Sequence, residues 1–250
     1  MPVLKRPDAE IYYEIHGAGF PILLYAPGGL KSEVSMWGGA SPAYPNGFPW
    51  MDPRTALSDK YTVIAMDQRN AGRSVAEVKP DHGWHTFAAD HLALMDHLGF
   101  KKFHVMGGCI GGSYCFEAIE QTPDRVAVAV LQNPIGLWEN RDNWDAAVKG
   151  YGETARKRDP SIGQATIDSF GKNMFGNDFV FSVTRDFVKN CRTPLYLQPG
   201  TDKPHPAHTS AEIAALAPNI EVQKDWRGPE FLQESIRRMH AFLGKNTPRS

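Results

Sequence analysis

The chain has 250 residues, a length that one hydrophobic core can support, so we predict a single domain over residues 1–250. Its formal net charge is -1 and no block of like charges runs along it. This charge pattern argues against nucleic acid or an anionic membrane surface as a partner. We expect a small-molecule substrate as the partner, and the sequence does not indicate an oligomeric state.

Targeting signals and cysteine usage bear on the compartment. No stretch near the amino terminus resembles the apolar part of a signal peptide, and no apolar run is long enough to span a bilayer. The three cysteines, Cys109, Cys115 and Cys191, are not spaced as a C-x-x-C pair and suit a reducing compartment. We therefore expect a cytoplasmic protein with at least one unpaired thiol.

Continuous apolar runs that end in polar or glycine-rich residues predict buried parallel strands. Such strands alternate with helical patterns, which predicts an α/β fold with a doubly wound, mostly parallel sheet. In chain order, we predict strands at 10–16, 21–26 and 61–67, a helix with Thr86 as N-cap extending to His97, a strand at 103–107, a helix beginning at or just after Cys109, a strand over VAVAVLQN, an inserted helical cap over 135–192, a strand at 194–200, a helix over 210–216, a strand at 219–224 and a helix over 229–243.

The segment Gly107-Gly108-Cys109-Ile110-Gly111 lies between a predicted strand and a predicted helix. A nucleophile flanked by glycines at this kind of junction is typical of a nucleophile elbow. The N–H of Ile110, at the start of the helix, is placed to stabilise an oxyanion. The same helix N-terminus favours the thiolate form of Cys109. The pattern indicates a cysteine nucleophile.

With this elbow, the chain resembles the α/β-hydrolase family from about residue 10 to residue 243, in a variant with cysteine as nucleophile. Pro27-Gly28-Gly29 looks like the family's oxyanion loop, which implies Gly29 as the second N–H donor. Asp67 to Ser74 is similar to the family's D-x-R-G-x-G-x-S turn, to which we assign no catalytic role. Gly200-Thr201-Asp202 looks like the loop that presents the catalytic acid. The resemblance implies a sheet of the α/β-hydrolase type.

The chain departs from the family pattern at the catalytic histidine. The family usually carries this residue in a loop after the last strand, but residues 221–229 contain none. His205 is our preferred base because it follows Asp202 on the same sheet edge, while His208 and His85 stay open as alternatives. For His205, a solvated or loop-bracing role is equally compatible with the sequence.

A missing late histidine is chemically compatible with a cysteine nucleophile. A thiol is partly ionised near neutral pH and needs less help from a base than a serine hydroxyl does. We expect Trp226 to occupy the space of the missing histidine.

The leading prediction is hydrolysis of a small carboxylic ester, lactone or thioester through a thioester on Cys109. Asp202 and His205 would assist the attack, and the N–H groups of Gly29 and Ile110 would bind the oxyanion. Similarity to cysteine-using relatives such as dienelactone hydrolases favours lactones or small esters. No metal and no cofactor is expected, because the sequence contains no third ligand at useful spacing from His205 and His208 and no P-loop.

Two alternatives belong to other functional classes. A long-lived thioester could pass its acyl group to another acceptor, as in the family's acyltransferases and its cysteine-bearing polyester synthases. A non-catalytic binder that has lost the usual histidine is the other alternative.

Overall fold

A mixed sheet of nine strands forms the centre of the computed structural model, which describes residues 2–38 and 50–248. Among these residues the strands are β1 (Val3–Lys5), β2 (Ala9–His16), β3 (Phe20–Tyr25), β4 (Tyr61–Met66), β5 (Val75–Ala76), β6 (Phe103–Gly108), β7 (Val126–Gln132), β8 (Leu195–Gln198) and β9 (Ile220–Val222). Their order across the sheet is β1-β2-β4-β3-β6-β7-β8-β9, and β5 pairs with β2.

The strands from β4 to β9 along this order are parallel, whereas β1, β2 and β5 form antiparallel pairs. The ends of three neighbouring strands are in register, because Gly108 pairs with Gln132 and Gln132 pairs with Gln198. Since the carboxyl ends of parallel strands lie at one edge of a sheet, the loops after β3, β6, β7 and β8 meet there.

Helices cover both faces of the sheet. They are α1 (Pro53–Ala56), α2 (Trp84–His97), α3 (Gly111–Gln121), α4 (Arg141–Arg158), α5 (Gln164–Phe175), α6 (Arg185–Asn190), α7 (Ala207–Leu216) and α8 (Leu232–Asn246), with 3-10 turns at Gly29–Lys31, Val34–Met36 and Pro229–Phe231. Alternate residues of β3 enter two separate cores: Leu23 packs in the core with α2 and α3, and Leu24 packs in the core with α8. The predicted doubly wound, mostly parallel sheet is confirmed.

The segment between β7 and β8 contains α4, α5 and α6, within the range predicted as a cap. Its aromatic side chains mainly pack against one another, as in the stacked pairs Trp144 with Phe175 and Tyr151 with Phe170. These rings therefore form the interior of the segment. In the described ranges, no helix is both long enough and apolar enough to cross a membrane.

The start of α2 differs from the sequence prediction. α2 begins at Trp84 with Gly83 as its N-cap, so the prediction of Thr86 as N-cap is wrong. Thr86 lies in the first turn instead, and its hydroxyl oxygen accepts a hydrogen bond of 3.2 Å from the Gly83 N–H. Thr86 still contributes to the capping box, but as its N3 residue and not as its N-cap residue.

The start of α3 packs against β3 with no room for a side chain. A Cβ atom added to Gly111 would lie 2.3 Å from the carbonyl oxygen of Tyr25, which is backbone and cannot move aside. The absence of a side chain at Gly111 therefore sets how closely the helix approaches the sheet.

We predict that Gly111→Ala destabilises the protein by about 3 kcal/mol, because overpacking displaces the backbone. The matched control is Gly150→Ala in α4, where an added Cβ meets nothing within 4 Å. Removing a helix-interior glycine there should stabilise the protein by up to about 1 kcal/mol. Urea unfolding followed by circular dichroism measures both changes. Equal stability of the two variants would contradict the packing argument.

Candidate active site

Cys109 occupies a tight turn between β6 and α3. Its φ angle is 57°, in the left-handed region that side chains rarely adopt. The turn is held by its backbone: the Cys109 N–H donates to the carbonyl oxygen of Gln132 at 3.0 Å, and its own carbonyl oxygen accepts from the Gly112 N–H at 3.1 Å. A Cβ on Gly107 would lie 2.0 Å from the Gly111 carbonyl oxygen. The flanking glycines permit the strained turn, which leaves Cys109 partly exposed.

Asp202 and His205 share the loop that follows β8. Nδ1 of the His205 ring lies 2.5 Å from Oδ1 of the Asp202 carboxylate. The His205 backbone N–H also donates to this loop, at 3.1 Å to the Asp202 carbonyl oxygen and 3.1 Å to Oδ1. A carboxylate at Nδ1 places the proton on that nitrogen and leaves Nε2 for chemistry.

The charges of Cys109 and His205 are coupled. Burial lowers the pKa of His205, but negative charge on Cys109 and the hydrogen bond to Asp202 outweigh it and raise this pKa to about 9. Burial raises the pKa of Cys109, but the charge of His205 and hydrogen bonds outweigh it and leave the pKa below its ordinary value. The arrangement therefore favours a thiolate beside an imidazolium.

The second ring nitrogen of His205, Nε2, lies on the side of the ring that acts on Cys109. Nε2 is buried, and in the resting arrangement no described residue meets ordinary hydrogen-bond geometry with it. Cys109 nonetheless exerts the largest of the effects that raise the pKa of the ring. Contacts between a nucleophile and its base are often looser without substrate and tighten during reaction. Nε2 is thus available for proton transfer next to the thiol.

Two backbone groups hydrogen-bond to the Cys109 thiol. They belong to Gly28, in the loop after β3, and Ile110, directly after Cys109, and both lower the pKa of the thiol. Gly29, the donor implied by the family resemblance, is the next residue along and begins a 3-10 turn. The Ile110 N–H thus lies at the thiol, and Gly28 joins Gly29 as a candidate for the second oxyanion donor.

The other candidate histidines lie elsewhere. His208 is exposed and stacks on Trp138, with ring centroids 3.5 Å apart. His85 is exposed on α2, with Nε2 3.2 Å from the hydroxyl oxygen of Thr86. Of the three histidines considered, the structure brings His205 to both Cys109 and Asp202. Within residues 2–38 and 50–248, no group of three or more His, Cys, Asp or Glu side chains could hold a metal ion.

The loop after β9, where the family usually carries its histidine, is occupied by Trp226 and Arg227. Trp226 is buried, and its indole N–H donates to the carbonyl oxygen of Pro199 at 3.0 Å. Nη2 of Arg227 lies 3.7 Å from Oδ2 of Asp202, whereas His205 contacts the other carboxylate oxygen, Oδ1. Sequence reasoning missed Arg227, since the only signal was the absence of histidine from this loop.

Comparison with known proteins places the fold. Residues 21–231 match the family model described as "alpha/beta hydrolase fold". The enol-lactonase from Burkholderia xenovorans LB400 superposes with a TM-score of 0.66, at 18% identity over 97% of this chain and 100% of that chain. The carboxylesterase CesB from Bacillus subtilis superposes with a TM-score of 0.67, at 20% identity over 98% of this chain and 91% of that chain. At such identities, the similarity concerns the fold alone.

Curated relatives are similar over part of the chain. "Putative carbamate hydrolase RutD" from Azorhizobium caulinodans is 36% identical over 133 residues, covering 53% of this chain and 44% of the relative. The protein of the same name from Caulobacter vibrioides is 33% identical over 126 residues, covering 49% of this chain and 42% of the relative. The matching segment thus spans less than half the length of these two relatives.

The coupled pKa values predict how Cys109 reacts with iodoacetamide as pH changes. The thiolate forms as pH rises through the lowered pKa of Cys109, and the imidazolium beside it is lost near pH 9. Alkylation should therefore accelerate at a lower pH than for an ordinary cysteine, and its rate should change again near pH 9. In His205→Asn the thiol pKa should return toward its ordinary value, slowing alkylation at pH 7 by about tenfold or more.

The matched control for this experiment is His208→Asn, which alters an exposed ring that stacks on Trp138. Its pH profile should follow that of the unmodified protein. If the profile of His205→Asn also superposed on it, the thiolate–imidazolium pair would be refuted.

Proposed function

Because the chain belongs to the alpha/beta hydrolase fold family, we propose that it is an enzyme that hydrolyses a small carboxylic ester, lactone or thioester through a thioester on Cys109. The contact of Cys109 with His205, itself held by Asp202, carries this proposal. A nucleophile, a base and an orienting carboxylate are the three groups that acyl transfer through a covalent intermediate requires.

The first half of the reaction acylates the enzyme. The Cys109 thiolate attacks the substrate carbonyl carbon, and the carbonyl electron pair moves to its oxygen. The Ile110 N–H and that of Gly28 or Gly29 stabilise this oxyanion. When the oxyanion collapses, the bond to the leaving group breaks, and His205 transfers its Nε2 proton to the departing oxygen or sulfur. The acyl group is then held as a thioester on Cys109.

The second half releases the acid. Neutral His205 accepts a proton from water at Nε2, and the hydroxide formed attacks the thioester carbonyl. Collapse of this second oxyanion breaks the C–S bond and restores the thiolate, and the imidazolium remains beside it. Asp202 keeps the proton of His205 on Nδ1 in both halves, which leaves Nε2 as the reacting nitrogen.

The ease with which the leaving group departs limits the class of substrates that this mechanism can use. The tetrahedral adduct of a thiolate expels the better leaving group, and a thiolate of lowered pKa leaves readily. Even with a proton from His205, a simple alcohol is a poorer leaving group than Cys109, so a larger share of such adducts would revert. We therefore propose substrates with a stabilised leaving group, such as an enol ester or lactone, an aryl ester or a thioester. The enol-lactonase among the structural neighbours acts, by its name, on substrates of this kind.

The site favours hydrolysis over acyl transfer and over ligand binding alone. His205 has Asp202 at Nδ1 and a buried Nε2 next to the Cys109 thiol, which equips it to activate water at a thioester on that thiol. A carbamate, the substrate class named for the curated relatives, also contains a carbonyl that a thiolate could attack. Its carbonyl is less electrophilic because the nitrogen donates electron density, so we place carbamates second.

We predict that p-nitrophenyl acetate and an acyl thioester give a burst equal to the enzyme concentration and an acyl adduct in the intact mass. Cys109→Ala should give neither, because the nucleophile is gone. Cys109→Ser should acylate slower by about 100-fold or more, since its hydroxyl is not ionised. The matched control is Cys191→Ala, which removes a buried thiol at the end of α6 and should keep the burst.

Three results would count against the proposal. Loss of the adduct in Cys191→Ala but not in Cys109→Ala would assign the nucleophile elsewhere. No burst and no adduct on either substrate, with no difference between Cys109→Ala and the unmodified protein, would favour a binding protein. If the adduct forms and decays only when a thiol or alcohol is added, the acyl group is transferred and not hydrolysed.

A further inference from the structure

Arg227 connects three segments at the edge of the site. Its guanidinium donates from Nη1 to the Thr201 hydroxyl at 2.6 Å and from Nη2 to the side-chain oxygen of Asn133. Nη2 also lies 3.7 Å from Oδ2 of Asp202. Asn133 directly follows β7, and Thr201 precedes the acid in the loop after β8. One side chain thus ties the loop that carries the acid to the neighbouring strand end.

A buried polar network fixes the loop that carries Arg227. The Gln132 amide donates to Gln198 at 2.8 Å, and the Gln198 amide donates to Gln223 at 3.0 Å. The Gln223 amide then donates to the carbonyl oxygen of Asp225 at 2.9 Å. These three glutamines are at most 3% exposed, so their hydrogen bonds are shielded from water. The chain just before Arg227 therefore has little freedom to move.

Trp226 adds a second anchor next to Arg227. It is 2% exposed and bonds to the backbone of Pro199 at the end of β8. The Arg227 guanidinium lies over the Trp226 ring, 4.9 Å from its centroid. A planar cation on an aromatic ring, with its N–H groups directed to fixed acceptors, is oriented before any substrate binds.

We propose that Arg227 is a positioning residue, which holds Oδ2 of the Asp202 carboxylate so that Oδ1 faces Nδ1 of His205. This role rests on the proposed function, in which His205 must present Nε2 to Cys109. Asp202 itself is 46% exposed, and water would otherwise compete for its oxygens. An ion pair on one oxygen restricts rotation of the carboxylate and directs the other oxygen at the imidazole.

The charge of Arg227 also favours the ionised form of Asp202. Burial raises the pKa of Asp202, but His205 and then Arg227 lower it, and the net change is downward. Direct binding of a substrate carboxylate by Arg227 fits the contacts less well. Nη1 and Nη2 already have protein partners, and Nε is buried without one. The guanidinium has few donors left to offer a ligand.

The test is a double-mutant cycle on the rate at which iodoacetamide alkylates Cys109 at pH 7. This rate reports the thiolate without any substrate, so it remains informative even if the ester assays fail. Arg227→Gln keeps polar contacts but removes the charge, and it should slow alkylation by about tenfold. Arg227→Lys keeps the charge and should recover most of the rate. In an Asp202→Asn background, Arg227→Gln should have less than about a twofold further effect.

The matched control is Arg237→Gln on α8, which removes an exposed arginine paired with Glu234 at 2.6 Å and should change the rate by less than about twofold.

Where ester turnover is measurable, the acylation rate of Arg227→Gln should fall by a larger factor than its KM rises. An Arg227→Gln effect of the same size with and without Asp202 would overturn the proposal, as would equal rates for the Gln and Lys variants. A rise in KM alone would assign Arg227 to substrate binding. If Arg227→Gln unfolds, as shown by circular dichroism, the same cycle is run with Arg227→Lys. An effect of Arg227→Lys that is smaller in the Asp202→Asn background supports the proposal, and an equal effect in both backgrounds overturns it.

Discussion

The hydrogen bond between Asp202 and His205 determines how the rest of the site is arranged. Because the base lies in the same loop as the acid, Nδ1 is held at 2.5 Å from the carboxylate by local structure. The loop after β9 does not need to supply the histidine that the family usually carries there, and it carries Trp226 and Arg227 instead. In the proposed mechanism, the nucleophile, base and acid are thus all present, and the histidine comes from a different part of the chain than the family usually uses.

The strained turn at Cys109 and the charges around it act together. Close packing of α3 on the sheet holds the residue at a positive φ angle, and two backbone groups hydrogen-bond to its sulfur. Those groups and the imidazolium of His205 all favour negative charge on the thiol. A serine at this turn would gain less, because its hydroxyl ionises far outside the physiological range. The cysteine and the displaced histidine therefore form a consistent pair.

Sequence patterns predict most of the fold because buried parallel strands are continuous apolar runs, as in β3 and β7. The positions of Cys109 and Asp202 at one sheet edge could be predicted because an elbow and a strand-end loop have local sequence signatures. The contact of Gly28 with the thiol was missed because neighbouring glycines leave the orientation of the loop's peptide groups open. Arg227 was missed because a guanidinium that meets a distant carboxylate leaves no local pattern.

The short separation of Asp202 and His205 has a consequence for chain entropy. Closing a loop costs entropy that grows with the logarithm of its length, about 0.6 kcal/mol for each doubling. These two residues are three positions apart, whereas a histidine after β9 would close a segment several times longer. The acid–base pair is therefore local structure that forms with its own loop. Only the contact with Cys109 requires distant parts of the chain to come together.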